Sequence, residues 1–264
     1  MASNGNGTIL AVEDLARSFG GIHAVDGATF EVERGSITAL IGPNGAGKTT
    51  LFNVLTGFYR GERGMVTFDD KSIFGRPPYA IARRGMVRTF QITKALARMP
   101  VIDNMTLAAP DQPGEKLRNV ILRPAASRKR ERAVHEQAME LLEVFNLEDL
   151  ANAYAGTLSG GQRKLLELAR ALMTEPTMLL LDEPMAGINP TLGRRLLEHM
   201  HQLRDERGVT FLFIEHDMDV VMGHSEKVIV MADGRVIASG APQEIRQDQR
   251  VIDAYLGTGA ESVE

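Results

Sequence analysis

The stretch at residues 42–50, GPNGAGKTT, constrains the fold of this chain more than any other. The β-branched and apolar run at residues 36–41, SITALI, comes directly before it and predicts a strand buried on both faces. The residues after it, TTLFNVLTG, carry apolar side chains at helical spacing and reach Gly57, a plausible helix stop. The stretch is therefore predicted to be a turn that leads from a buried strand into a helix.

The spacing Gly-x4-Gly-Lys-Thr within this turn is the P-loop pattern. Glycines let the backbone curl so that successive N–H groups point at phosphates, at the positive end of the following helix. Lys48 is expected to reach the β- and γ-phosphates, and the Thr49 hydroxyl is expected to ligate Mg²⁺. A plain flexible loop is the alternative, and the flanking strand and helix disfavour it. The predicted phosphate-binding residues are Gly42, Pro43, Asn44, Gly45, Ala46, Gly47, Lys48, Thr49 and Thr50.

Length and composition set limits on what else the chain can be. Its 264 residues suit one large domain or two small ones, and 44% hydrophobic with 24% charged residues is typical of a soluble globular protein. A net charge of −4 argues against a nucleic-acid binder. The absence of cysteine excludes disulfides, zinc thiolates and cysteine nucleophiles. We find neither a signal peptide nor an apolar run of bilayer-spanning length, so another chain is expected to do any spanning.

The rest of the chain predicts an α/β domain that also contains an antiparallel β subdomain and a helical insertion. The first forty residues and residues 65–70 predict antiparallel strands, whereas 177–181 and 209–214 are apolar runs typical of central parallel strands. Asn189 and Pro190 suit the N-cap and first turn of a helix between those runs. Asp233-Gly234 suits the turn of a hairpin.

Residues 110–160 change character and predict a helical insertion. A stretch rich in proline and charge is followed by a helix with one apolar face, made of Val134, Ala138, Leu141, Leu142 and Phe145. The basic run at 128–132 is either a contact for lipid headgroups or a partner, or, as we prefer, a solvated helix face. The predicted fold class is α/β: a P-loop NTPase core with an antiparallel β subdomain and a helical insertion. We place the core at 8–93 and 175–257 and the helical subdomain at 94–174, within one domain.

The stretch LLLDEP ends one of the apolar runs with two carboxylates. Asp182, at the end of the strand, is the natural acceptor near Mg²⁺, through water. Glu183 would project toward the γ-phosphate, where a carboxylate can orient an attacking water as general base. A strand that simply ends in acidic residues is the alternative, which the upstream P-loop pattern disfavours.

The stretch LSGGQRKLLELARAL predicts a second helix start suited to an anion. Ser159 is a good N-cap, and Leu165, Leu168 and Leu172 form a buried stripe on the helix. Two glycines at a helix start expose backbone N–H groups at its positive end. A capped helix with a flexible first turn is the alternative.

With LSGGQ followed by LLLDEP, the chain resembles the ATP-binding cassette family. The resemblance implies that two cassettes pack head to tail, with each ATP between the P-loop of one and the LSGGQ of the other. Ser159 and Gly161 would then serve the partner's γ-phosphate. The implied cofactors are ATP and Mg²⁺. The implied partners are a second cassette, identical or a sister subunit, transmembrane permease subunits and, indirectly, a solute-binding protein, at the cytoplasmic face of the inner membrane.

Four further residues are assigned by this resemblance. Gln91, in RTFQ, resembles the glutamine that contacts Mg²⁺ and links the site to the membrane partner. His216, in IEHDM, resembles the histidine that holds the γ-phosphate and the attacking water. Phe19 fits the aromatic residue that stacks on adenine, and Val25 would pack on the same base. The other histidines are interpreted as structural or surface residues.

The sequences of several motifs are similar to those in the cassettes of branched-chain amino-acid importers. LFNVLTGFY and the Asn-Pro pair in EPMAGINP carry most of this likeness, and Asn189 stands where most of the family have aspartate. The predicted function is an ATP-hydrolysing subunit that energises such an importer. Cassettes for urea or lipopolysaccharide share much of the pattern and stay open. A soluble cassette ATPase would be expected to show two cassettes or a long coiled coil, and a non-hydrolysing module would be expected to lack the acid after Asp182.

Overall fold

The computed structural model describes residues 7–89, 96–110 and 124–257 of the chain. They form two compact units. The first unit contains residues 7–88, 177–185 and 200–257, and the second contains the remaining described residues. Gln91 lies outside the described residues. Within these ranges no helix is long and apolar enough to cross a bilayer.

All strands of the described ranges lie in the first unit. They are β1 (Thr8–Phe19), β2 (Ile22–Glu33), β3 (Ile37–Ile41), β4 (Arg63–Phe68), β5 (Lys71–Ser72), β6 (Met86–Arg88), β7 (Met178–Asp182), β8 (Thr210–Ile214), β9 (Lys227–Ala232) and β10 (Arg235–Gly240). The helices are α1 (Lys48–Leu55), α2 (Pro78–Ala82), α3 (Val101–Thr106), α4 (Pro124–Val144), α5 (Gly160–Leu172), α6 (Pro190–Arg207), α7 (Met218–His224), α8 (Pro242–Gln247) and α9 (Gln249–Gly257). Short 3-10 turns lie at Glu148–Leu150 and Ala155–Thr157.

The first unit contains two sheets. The smaller is antiparallel with the order β2-β1-β4-β5, which confirms the strands predicted near the amino terminus. The larger has the order β10-β9-β3-β8-β7-β6, and all its pairs are parallel except β9 with β10. Every residue of β3, β7 and β8 is buried, as expected for central strands covered on both faces.

The register of the larger sheet decides where the site lies. Leu40 pairs with Ile214, and Ile214 pairs in turn with Asp182 on the other side. The carboxyl ends of β3, β7 and β8 therefore meet at one edge of the sheet. Three predicted features, the P-loop, the Asp182-Glu183 pair and His216, all follow strands that end at this edge.

The second unit is helical, and its apolar face is the predicted one. Val134, Ala138, Leu141, Leu142 and Phe145 are all at most 1% exposed. Leu165, Leu168 and Leu172 on α5 are also buried, which confirms the predicted stripe. Residues 186–199, predicted from the sequence to belong to the core, lie in this second unit. They include the start of α6, where Asn189 Oδ1 accepts a hydrogen bond from Leu192 N at 2.9 Å and so confirms the predicted cap.

Candidate functional site

The P-loop, residues 42–49, connects β3 to α1 as the spacing predicts. Two of its glycines are required by close backbone contacts. A Cβ on Gly42 would lie 2.1 Å from the carbonyl oxygen of Met231, and one on Gly47 would lie 2.0 Å from that of Ala24. Gly47 also has φ of +94°, a conformation that side chains with a Cβ rarely adopt. The loop therefore lies tightly against β9 and β2.

Lys48 is held inside this loop. Its Nζ donates hydrogen bonds to the carbonyl oxygens of Gly42 at 2.7 Å and Pro43 at 2.9 Å. Burial lowers the pKa of Lys48, while the negative charges of Glu183 and Asp182 oppose that shift. The ammonium group thus lies at the loop, paired with neutral carbonyls that phosphate oxygens could replace.

A cleft of about 460 Å³ opens on the helix side of the loop, within the size range of small-molecule sites. The loop and the start of α1 form its floor. It is lined by residues 44–50 together with Ile22, His23, Ala24, Glu183, His216, Asp233 and Gly234.

The wall of the cleft comes from β2 and the β9–β10 turn, and no sequence motif marks it as part of a site. Gly234 joins the segments, since its N–H donates to Ala46 O at 3.2 Å and its carbonyl accepts from Asp26 N at 2.8 Å. Arg235 forms an ion pair with Asp26, which holds the pKa of Asp26 below its usual value. The sequence predicts the Asp233-Gly234 pair only as a hairpin turn, and the pairing of β9 with β10 confirms that turn. The sequence assigns His23 only a structural or surface role.

Glu183 and His216, predicted separately from the sequence, are in contact. His216 Nε2 lies 3.0 Å from Glu183 Oε1. Glu183 adopts φ of +50°, and its backbone N–H donates to Ile214 O at 3.0 Å. A carboxylate that can accept a proton and an imidazole that can donate one therefore lie side by side at the edge of the cleft.

Asp182 forms a buried ion pair. Its Oδ2 lies 2.7 Å from Arg88 Nη2, and Arg88 Nη1 also donates to Asn53 Oδ1 at 2.7 Å. Asp182 Oδ1 is buried and accepts no hydrogen bond from any residue that the structure describes. The role of Asp182 near Mg²⁺ stays a prediction.

The donor set can be tested against Mg²⁺. The described ranges contain no cluster of three or more His, Asp or Glu side chains able to hold a metal ion. Mg²⁺ commonly takes only one or two protein oxygens and completes its shell with water and substrate phosphates. Thr49 lines the cleft, whereas Asp182 is not among the lining residues and lies buried at the end of the neighbouring strand β7. Two such oxygen donors fit a magnesium–nucleotide complex rather than an all-protein metal site.

Glu215 is a further buried carboxylate at this edge, and no motif singled it out. Its Oε1 accepts from Met185 N at 2.8 Å, and its Oε2 accepts from His216 N at 3.2 Å. Burial raises the pKa of Glu215, although these two hydrogen bonds oppose the shift.

The two residues assigned to the adenine base are not among the residues that line the cleft. Phe19 is 39% exposed, with its ring edge-on to Tyr59 at 5.2 Å between centroids and the Arg17 guanidinium 4.6 Å from its centroid. Val25 is completely buried in the hydrophobic core of the first unit. Their contacts with a base stay predictions.

In the second unit, the start of α5 is a complete capping box. Ser159 Oγ accepts from Gln162 N at 3.2 Å, and Gln162 Oε1 accepts from Ser159 N at 2.9 Å, which confirms the predicted cap. Ser159 and Gly160 are exposed, whereas a Cβ on Gly161 would meet Leu192 Cδ2 at 2.0 Å. The role of Ser159 and Gly161 toward a partner's phosphate stays a prediction.

Comparison with known proteins gives consistent matches. Residues 25–186 match the family model "ABC transporter", and residues 235–261 match "Branched-chain amino acid ATP-binding cassette transporter". The chain is 42% identical over 258 residues to "Probable branched-chain amino acid transport ATP-binding protein LivG" of Archaeoglobus fulgidus, covering 97% of this chain and 98% of the relative. It is 43% identical over 249 residues to "High-affinity branched-chain amino acid transport ATP-binding protein BraF" of Pseudomonas aeruginosa, covering 94% and 98%.

A solved structure agrees with these matches. The ADP conformation of MJ1267, an ATP-binding cassette of an ABC transporter, has a TM-score of 0.79 and 37% identity, covering 95% of this chain and 99% of that one. The predicted fold class is therefore confirmed. The chain belongs to the ABC transporter family of ATP-binding cassettes, whose members bind and hydrolyse ATP to power transport.

Proposed function

We propose that this chain is the ATP-hydrolysing subunit of a membrane importer for branched-chain amino acids. The observation that carries the catalytic part is the 3.0 Å contact between Glu183 and His216 at the edge of the P-loop cleft. The match of residues 235–261 to a branched-chain amino-acid cassette model and the names of the relatives support the solute class.

Phosphate binding rests on the P-loop and Lys48. The loop presents backbone N–H groups at the start of α1, where the helix dipole favours negative charge. Lys48 exchanges the carbonyls of Gly42 and Pro43 for oxygens of the β- and γ-phosphates. A bound Mg²⁺ neutralises charge on the phosphates. Thr49, Asp182 and Gln91 are the residues that would hold it.

Hydrolysis rests on Glu183 and His216. The 3.0 Å contact holds the two side chains together beside the cleft, and with an ionised Glu183 the proton lies on His216 Nε2, which donates it to the carboxylate. When nucleotide occupies the cleft, His216 turns this N–H toward the γ-phosphate. Glu183 Oε1 is then free to accept a proton from the attacking water as general base. His216 stabilises the charge that develops on the phosphate.

Coupling to transport requires other chains. A second cassette, identical or a sister subunit, would place its exposed Ser159 helix start against the γ-phosphate held by the first. The pair would dock peripherally on permease subunits at the cytoplasmic face of the inner membrane, fed by a solute-binding protein. Closure on ATP and reopening after hydrolysis would drive the transport cycle.

Glu183→Gln tests the catalytic part. Glutamine keeps the shape of the side chain but cannot act as base, so hydrolysis should fall by about 10²–10⁴-fold. ATP affinity should stay near normal, because Lys48 and the loop amides are unchanged. The matched control is Glu13→Gln, which alters an exposed carboxylate on β1 and should leave both quantities unchanged. Hydrolysis at a near wild-type rate by Glu183→Gln would move the role of base elsewhere, first to His216.

Uptake of labelled solute tests the transport part. Deleting the gene in its source organism should abolish high-affinity uptake of leucine, isoleucine and valine. The wild-type chain should restore that uptake, and Glu183→Gln should not. Normal leucine uptake with a loss of urea uptake, or with a defect in lipopolysaccharide transport, would assign the cassette to that other transporter.

A further inference from the structure

Glu215 is a buried charged residue with an unusual set of partners. It is the first residue after β8 and is 5% exposed. Within the described part of the chain, Glu215 takes part in no ion pair. Burying a carboxylate without a cation is costly unless hydrogen bonds satisfy it. Both of its oxygens accept hydrogen bonds, and both donors are backbone N–H groups.

The two donors belong to the two loops that carry the proposed catalytic pair. Met185 is two residues after Glu183, and the second donor is the N–H of His216 itself. One carboxylate thus bridges the backbone after β7 and the backbone after β8. The link adds to the hydrogen bond from Glu183 N to Ile214 O, which holds the other side of the same loop.

The backbone at Glu183 needs such support. Its φ of +50° lies in the left-handed region, which a non-glycine residue keeps only when the surroundings hold it there. Fixing the loop on both sides of Glu183 restricts where its carboxylate can point. Fixing His216 N does the same for the imidazole.

From this arrangement we propose that Glu215 is a positioning residue for ATP hydrolysis, which acts by fixing the backbone of the two loops that carry Glu183 and His216. The proposal rests on the catalytic roles given above to Glu183 and His216. Glu215 itself does not line the cleft, so its effect passes through the two loops.

Glu215→Gln is the test substitution. The amide keeps the volume of the carboxylate but has only one oxygen, and its NH₂ group faces a second donor. One of the two bridging hydrogen bonds is lost. Displacement of the catalytic pair should lower kcat by about 10- to 100-fold. The KM for ATP should change by less than about twofold, because the P-loop and Lys48 are untouched.

Glu226→Gln is the matched control. Glu226 Oε2 also accepts a backbone N–H in the same sheet, from Ile37 at 3.1 Å, but Ile37 begins β3 and so lies at the end of that strand away from the P-loop. This variant should keep wild-type kcat. Thermal melting of both variants checks that each is folded at the assay temperature.

A double-mutant cycle separates positioning from a purely structural role. Single-turnover hydrolysis is measured for the full chain, with its sister cassette where hydrolysis requires one, as wild type, Glu183→Gln, Glu215→Gln and the double variant. Residues that act as a unit are strongly non-additive. We expect Glu215→Gln to have little further effect once Glu183 is replaced.

Each other outcome overturns a specific statement. The positioning role is overturned if Glu215→Gln keeps wild-type kcat. It is also overturned if Glu215→Gln lowers the hydrolysis rate by the same factor in the wild-type chain and in Glu183→Gln. Either result leaves Glu183 as base. Wild-type activity in Glu183→Gln overturns the proposed base, and with it the residue through which Glu215 is proposed to act.

Discussion

Replacing Arg88 with alanine should destabilise the first unit strongly. The ion pair between Arg88 and Asp182 is buried, with side-chain exposures of 7% and 1% and a distance of 2.7 Å. After the substitution, neither oxygen of Asp182 keeps a hydrogen bond from a described residue. Removing one partner of a buried pair typically costs about 3–5 kcal/mol, because it leaves a charge buried without compensation.

The expected cost converts into a measurable change in melting temperature. For chains of this size, 1 kcal/mol shifts the midpoint by about 2–4 °C. Arg88→Ala should therefore lower the midpoint by about 6–20 °C. The melt is followed by far-UV circular dichroism without nucleotide, since a bound ligand would add its own stabilisation.

Arg250→Ala is the matched control for this experiment. Arg250 pairs with Asp248 at 2.6 Å, a shorter distance, but the arginine side chain is 68% exposed. Exposed pairs are screened by solvent and contribute little, so no resolvable shift is expected. Adding Asp182→Asn to Arg88→Ala should recover part of the loss, because an uncharged amide is less costly to bury. If Arg88→Ala lowers the melting midpoint no more than Arg250→Ala does, burial does not determine how much the Arg88–Asp182 pair contributes to stability.

Three further substitutions test other parts of the site. Lys48→Ala should weaken ATP binding by about 10- to 100-fold, as expected for the loss of a charged hydrogen-bond donor, and calorimetry showing unchanged affinity would refute its role. Ser159→Arg should prevent ATP-dependent dimerisation in size-exclusion chromatography while monomers still bind ATP; a surviving dimer would contradict head-to-tail pairing. Gly47→Ala should weaken nucleotide binding more than Gly45→Ala, because only at Gly47 does a Cβ meet backbone, at 2.0 Å from Ala24 O. Equal effects would show that this contact is unimportant.

Features fixed by neighbouring residues could be predicted from the sequence. The strand β3, the P-loop and α1 follow from a β-branched run, glycine spacing and helical periodicity. Ser159 and Asn189 cap their helices as short polar side chains do at that position. Each of these features depends on contacts between residues close in the sequence, so the local amino-acid sequence is sufficient to predict it.

Features that depend on sheet order could not be predicted in this way. Neither the contact of Glu183 with His216 nor the pair of Arg88 with Asp182 has any local signal, because each joins segments far apart in the chain. Glu215 is hidden for the same reason: a glutamate after an apolar strand reads as a surface residue until β7 is known to lie beside β8. The resemblance to the family assigns a role to His216 but gives none to Glu215.

The strand order β10-β9-β3-β8-β7-β6 also sets the sequence of events on the ribosome. The antiparallel sheet is complete once Ser72 has emerged, but β3 has no partner in the larger sheet until β8 is synthesised. At about 5–20 residues per second, that wait lasts roughly 10–35 s. During this time a five-residue strand that is fully buried in the finished protein has nothing to pair with. We therefore expect nascent chains to hold every residue of the P-loop without being able to bind nucleotide until β8 has been synthesised.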